Sequence, residues 1–143
     1  MIGCTFFGHR DIFEDIEKPL TEILVDLIEN KKVNKFYVGN NGNFDKLVRK
    51  KLKQIKKIYP HISYEVVLAY IPQKKKDDED YSDTVFPTSL ERVPYVARIK
   101  ARNEYMINKS KYVVCCIYKT ASGAAEAVQK AKNKGKKIIN VFQ

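Results

Sequence analysis

A chain of 143 residues is long enough to bury one full core and too short for two ordinary domains, so a single domain over 1–143 is expected. A hydrophobic share of 44% beside a charged share of 31% describes a water-soluble globular protein, and no apolar run approaches the roughly 18 residues of a membrane span. The formal net charge of +10 keeps polyanions, nucleic acid among them, in view as partners.

Met1 leads straight into an apolar run, without a basic n-region or a cleavage site, so no signal peptide is read and a cytoplasmic location is expected. The run from Ile2 to Phe7 reads as a first strand. It stops at Gly8-His9-Arg10-Asp11, and a helical pattern opens after Asp11. Such a strand, tight turn and helix start aim free backbone N–H groups and two cations at one point, which suits a phosphate or carboxylate. Taken alone it is an ordinary βα turn.

Ile16, Leu20, Ile23, Leu24, Leu27 and Ile28 then recur at helical spacing, with Glu14, Asp15 and Glu17 in the first turn and Pro19 moving the regular start to near Lys18. Lys35 to Val38 is a short strand, broken by Gly39-Asn40-Asn41-Gly42-Asn43, residues that tolerate unusual backbone angles. Phe44 to Ile58 is the next helix, with Leu47, Val48, Leu52, Ile55 and Ile58 expected inward. Its outer face is basic, but no aromatic residues interleave with the lysines, so a solvated face is expected rather than a nucleic-acid surface. After Pro60, Tyr64 to Ile71 is nearly continuous apolar sequence, the mark of a strand covered on both faces.

From Pro72 to about Val93 the pattern lapses. Lys74-Lys75-Lys76 and Asp77-Asp78-Glu79-Asp80 neutralise one another, and Tyr81, Phe86, Leu90 and Tyr95 follow no period. A loop this long is either functional, here a lid over the site, or a surface insertion, and both readings stand. A helix from Tyr95 or Val96 to Asn108 follows, with Val96, Ile99, Met106 and Ile107 apolar and Arg98, Arg102 and Asn103 among them. Lys111 to Tyr118 is a fourth long strand. Lys119-Thr120-Ala121-Ser122-Gly123 then leads into a helix from Ala124 to Lys134, with Gly135 as its C-cap and Lys137 to Phe142 as the last strand. Cys4, Cys115 and Cys116 fall within strands and read as small core hydrophobes, the adjacent pair facing opposite sides. No metal-ligand cluster is visible.

Strands alternating with helices predict an α/β fold: a Rossmann-like three-layer sandwich with a five-stranded, mainly parallel sheet in order 3-2-1-4-5 and helices on both faces. Ligands of such sheets bind outside the carboxyl ends of the strands, at the switch point between strands 1 and 4. The turns at Gly8-His9-Arg10, Gly39 to Asn43 and Thr120 to Gly123 all follow strands and so share that edge. Without G-x-G-x-x-G or a Walker loop in the first turn, a dinucleotide or ATP enzyme is disfavoured and no cofactor is expected. Ser122 and Gly123 open a helix where a hydroxyl caps and free N–H groups hold an anion, though a plain N-cap explains Ser122 equally well. Arg98 and Arg102 lie four residues apart and would clamp a phosphate together, or each would pair with a surface acid. Glu126 is placed to reach a sugar hydroxyl or act as an acid or base, or to face solvent.

Together these residues resemble the SLOG superfamily, which groups the DNA-processing Smf/DprA proteins with the LOG nucleotide hydrolases, and most of all its small single-domain YpsA-like members. Thr5-Phe6-Phe7-Gly8-His9-Arg10 looks like their opening strand and turn. Val38-Gly39-Asn40-Asn41-Gly42-Asn43-Phe44-Asp45 is similar to their second glycine turn ending in Asp. Arg102-Asn103-Glu104-Tyr105-Met106 resembles their Arg-Asn-x-x-Met helix, and Ser122-Gly123-Ala124-Ala125-Glu126 their last turn. The resemblance implies a fold that binds nucleotides or nucleotide-derived molecules across the strand ends, often as a homodimer, with Gly8, His9, Arg10, Gly39, Asn40, Gly42, Asp45, Arg98, Arg102, Asn103, Thr120, Ser122 and Gly123 around the ligand. In LOG enzymes an Arg and a Glu matching Arg102 and Glu126 act in cleaving the N-glycosidic bond of a nucleoside monophosphate. Here Tyr118-Lys119-Thr120 stands where Pro-Gly-Gly would be and Gly123 where Thr would be, which weakens hydrolase chemistry more than ligand binding. Smf kinship and the net charge together raise single-stranded nucleic acid as a further partner.

Overall fold

The computed structural model describes residues 1–11, 15–72, 80–118 and 122–142. Its elements are β1 (Gly3–Gly8), α1 (Glu17–Glu29), β2 (Lys35–Val38), α2 (Gly42–Ile58), β3 (Ser63–Val67), β4 (Thr84–Val85), α3 (Arg98–Asn108), β5 (Tyr112–Cys116), α4 (Gly123–Asn133) and β6 (Lys137–Asn140), with single 3-10 turns at Thr88–Leu90 and Tyr95–Ala97. The strands form one all-parallel sheet in the order β4-β3-β2-β1-β5-β6. The α/β Rossmann-like architecture is thus the expected one, and the expected five strands keep their order.

The sixth strand is a correction. Thr84–Val85 lies inside the stretch read as an irregular loop over 72–93, and it pairs in parallel with Val66 and Val67. Two residues are too few for a period-2 pattern, so nothing in the sequence marks them as a strand. Correspondingly β3 ends at Val67 and not at Ile71. Leu68 N–H still donates to the Val85 carbonyl at 2.8 Å, but the chain then leaves the ladder. The lid reading depends in part on residues 73–79, which lie outside the described ones.

Alternation along the strands fills two cores. Cys4, Phe6, Phe36, Val38, Val66, Val114 and Cys116 meet Leu20, Leu24, Leu27 of α1 and Phe44, Val48, Leu52, Ile55 of α2. On the other face Phe7, Tyr37, Val67, Val113 and Cys115 meet Met106 and Ile107 of α3 and Ala127, Val128, Ala131 of α4. Cys115 and Cys116 therefore do face opposite layers, and all three cysteines are free and buried. Ile58, expected inward, ends α2 uncovered at 70%, and the apolar Val96 and Ile99 are exposed at 90% and 39%. No described helix is long and apolar enough to cross a membrane.

Because the first two helices cover one face and the last two the other, the connections diverge from β1 in opposite directions. The switch point falls between β1 and β5, at the edge where Gly8 aligns with Cys116.

Candidate functional site

At the end of β1 the chain turns under α2. A Cβ on Gly8 would collide with the ring of Phe44, so glycine is what lets the first turn of α2 close over the strand. His9 follows, 6% exposed. Its backbone N–H donates to the Cys116 carbonyl at 3.4 Å, and its Nε2 accepts the Tyr118 backbone N–H at 3.0 Å. The imidazole also packs edge-on against the Tyr118 ring, centroids 4.3 Å apart. Nε2 of His9 therefore serves as an acceptor for the chain leaving β5. His9 thereby ties the β1 turn to the segment after β5.

The second glycine turn is fastened to the first. Asn43 N–H donates to the Arg10 carbonyl at 2.8 Å, and Gly42, at φ +87°, lies where a Cβ would come within 2.7 Å of Arg10 Cα. Both the backbone angle and the close approach require glycine there. Asp45, 7% exposed, turns back to accept the Asn41 N–H at 2.9 Å, satisfying a donor that the start of α2 leaves open.

Arg102 reaches this turn from α3 and is 4% exposed. It donates to Asn103 Oδ1 at 3.2 Å and to Asn40 Oδ1 at 3.4 Å. Gly39 is wedged between the two charges: a Cβ there would meet Arg102 Nη1 and Asp45 Oδ2, each at 2.9 Å. Burial pushes the Asp45 carboxyl up to about 6, against the pull of the Asn41 N–H and of Arg102. Burial likewise lowers the Arg102 guanidinium, while Asp45 raises it. Guanidinium stays charged regardless, so the wall holds a fixed cation beside an acid that titrates.

On the β5 side, Ser122 caps α4, its hydroxyl accepting the Ala125 N–H at 3.0 Å. The first N–H groups of the helix, at Gly123 and Ala124, have no intrahelical acceptor, and both residues border the same space. Gly123 has open room around its Cα, so no steric demand accounts for glycine there.

These pieces enclose a cleft of about 500 Å³ at the switch point. Of the residues singled out in the sequence, Gly8, His9, Arg10, Asp45, Arg102, Asn103, Ser122 and Gly123 line it. Gly39, Asn40 and Gly42 stand behind that wall, supporting Arg102, Asp45 and Arg10. Arg98 points elsewhere, donating to the Val93 carbonyl at 3.1 Å and the Glu91 carbonyl at 3.4 Å, with its guanidinium 5.7 Å from the Phe86 ring centroid. It therefore does not share a clamp with Arg102. Glu126 is exposed on the outside of α4, paired with Lys100 at 3.2 Å. Thr120 lies outside the described residues. Asn41, Tyr70, Ile99, Met106 and Ala124 also line the cleft and were not singled out. Tyr70 carried a signal, a polar-tipped aromatic at the end of an apolar run, but was absorbed into the expected strand.

No protein-family model and no curated protein sequence matches the chain. Among solved structures it is similar to DNA processing protein A (DprA) from Streptococcus pneumoniae, at a TM-score of 0.70 and 14% identity. The likeness covers 97% of this chain and 50% of that one, so the chain spans half the length of that protein. At this identity it shows a shared Rossmann-like fold.

Proposed function

We propose that the cleft binds a nucleotide or nucleotide-derived molecule, and that the protein is a sensor or regulatory binding protein of the small YpsA-like kind within the SLOG superfamily. The observation that carries this reading is the buried Arg102 guanidinium in the wall of a 500 Å³ cleft that also receives the capped start of α4. A fixed, buried cation beside open helix N–H groups is what a phosphate needs. The size falls in the ordinary range of small-ligand sites. Arg10 at the rim adds a second cation. A homodimer in the cytoplasm belongs to the same proposal.

Hydrolase chemistry of the LOG type has less support, since Glu126 is exposed, ion-paired and outside the cleft. Thermal-shift and calorimetric screening with mononucleotides, cyclic nucleotides and ADP-ribose derivatives tests the binding reading. One or more should stabilise the protein, and Arg102→Gln should abolish the gain; no stabilisation of the folded protein by any of them refutes the reading.

A further inference from the structure

The cleft has an apolar end that phosphate binding leaves without a use. Tyr70, just past β3, lines the cleft, and its hydroxyl donates to the Tyr95 carbonyl at 2.8 Å. Its ring lies 4.3 Å from the Tyr95 ring at an interplanar angle of 31°. Ile99, on the first turn of α3, lines the same end at 39% exposure, and Tyr95 beside it is 70% exposed. A half-buried tyrosine ring in the cleft wall, an exposed tyrosine ring packed beside it and a part-exposed isoleucine make a surface suited to an apolar or aromatic group. The sheet order separates this end from the anion-binding one. Tyr70 follows β3 and Ser122 follows β5, three strand spacings away, on the order of 14 Å. Arg102, whose guanidinium meets Asn40 at the end of β2, stands between them.

We infer that the ligand lies lengthwise across the strand ends, its phosphate at the start of α4 and a planar nucleobase on the Tyr70–Tyr95 pair. The inference rests on the nucleotide reading and adds that the protein selects for the base. A sugar phosphate lacking it would reach Arg102 and α4 but leave the aromatic end wet. Stacking tolerates any base, since each offers a π face, so discrimination between base and no base should exceed discrimination among bases.

The four nucleoside 5′-monophosphates and ribose 5-phosphate, measured by calorimetry, provide the test. The monophosphates should bind at least about tenfold more tightly than ribose 5-phosphate. Tyr70→Ala should remove most of that difference while leaving ribose 5-phosphate affinity unchanged, and Tyr70→Phe should retain it. Tyr95→Ala alters an exposed side chain, so it keeps the test valid if Tyr70→Ala fails to fold; it should reduce the same difference. The chain has nine Tyr and no Trp, so quenching of tyrosine fluorescence by a monophosphate, and not by ribose 5-phosphate, is a second readout. Equal affinity for ribose 5-phosphate and monophosphates, or monophosphate binding untouched in the tyrosine variants, overturns this inference and leaves the nucleotide reading standing. Binding of neither class overturns both.

Discussion

Asp45 and Arg102 are two buried charges held on either side of a glycine. The carboxyl rises from 3.8 to about 6 because burial outweighs both the Asn41 N–H and the guanidinium. A carboxyl with a raised folded pKa holds its proton more tightly in the folded than in the unfolded chain. Its contribution to stability is therefore complete below about pH 4 and is lost as pH climbs through 6, by about 3 kcal/mol at most. Asp45→Asn keeps an oxygen for the Asn41 N–H and removes the titration. Urea unfolding at pH 4.5 and pH 7 should show a smaller pH difference in the variant than in the wild type; identical pH profiles would mean that Asp45 does not titrate in this window. Arg102 was legible because its Arg-Asn-x-x-Met setting marks it. The role of His9 was not, since its ring is fixed by a backbone N–H 109 residues away in sequence. A histidine next to an arginine reads as a cation until its acceptor role is visible.

β4 illustrates how an element escapes sequence reading and what then holds it. A two-residue edge strand has little ladder of its own. Its anchor is Asp83, whose carboxylate accepts from Arg49 Nε at 2.9 Å and from the Tyr64 hydroxyl at 2.9 Å, while Arg49 also reaches the Asp80 carbonyl at 2.6 Å. Burial first, and the bond to Asp83 second, push the Tyr64 hydroxyl up to about 12, so it remains a donor at any working pH. Arg49 thus leaves the basic face of α2 to bind a neighbouring element, a pairing across 34 residues that no local spacing reveals. The long helices and the central strands were legible because their periodicity is repeated over several turns or residues. Asp83→Ala should free the edge: exchange of the Val66 and Leu68 amides, which donate to the Asp83 and Val85 carbonyls, should quicken, while the Leu24 amide within α1 keeps its protection. Global stability should fall by about 1–3 kcal/mol, as for other charge-assisted bonds that are partly buried. Unchanged exchange at Val66 and Leu68 would show that the backbone ladder suffices without Asp83.

Across the whole molecule the net charge of +10 and the cleft make different predictions about anions. The switch point was legible because strand order follows from alternation and right-handed crossovers, which fix where the strand ends diverge. Charge placement is less legible, since part of the basic face of α2 is neutralised from outside the helix. Glu17 lies 3.7 Å from Lys50 and 3.2 Å from Lys51, and Arg49 is committed to Asp83, whereas Lys46, Lys53 and Lys57 remain exposed. A strand of nucleic acid held by these three lysines would release condensed counterions. Its affinity should then fall about twentyfold between 50 and 200 mM salt. A mononucleotide has no comparable ion atmosphere and its main cation, Arg102, is buried, so its affinity should change only severalfold over the same range. Titrating a fluorescent oligothymidylate and a mononucleotide side by side, at both salt concentrations, separates a scattered basic surface from a built site. The expected result is a salt-tolerant mononucleotide complex that is lost in Arg102→Gln, with any oligonucleotide complex salt-sensitive and persisting in that variant. Loss of both in Arg102→Gln would instead place the nucleic acid in the cleft, and make single-stranded nucleic acid its ligand.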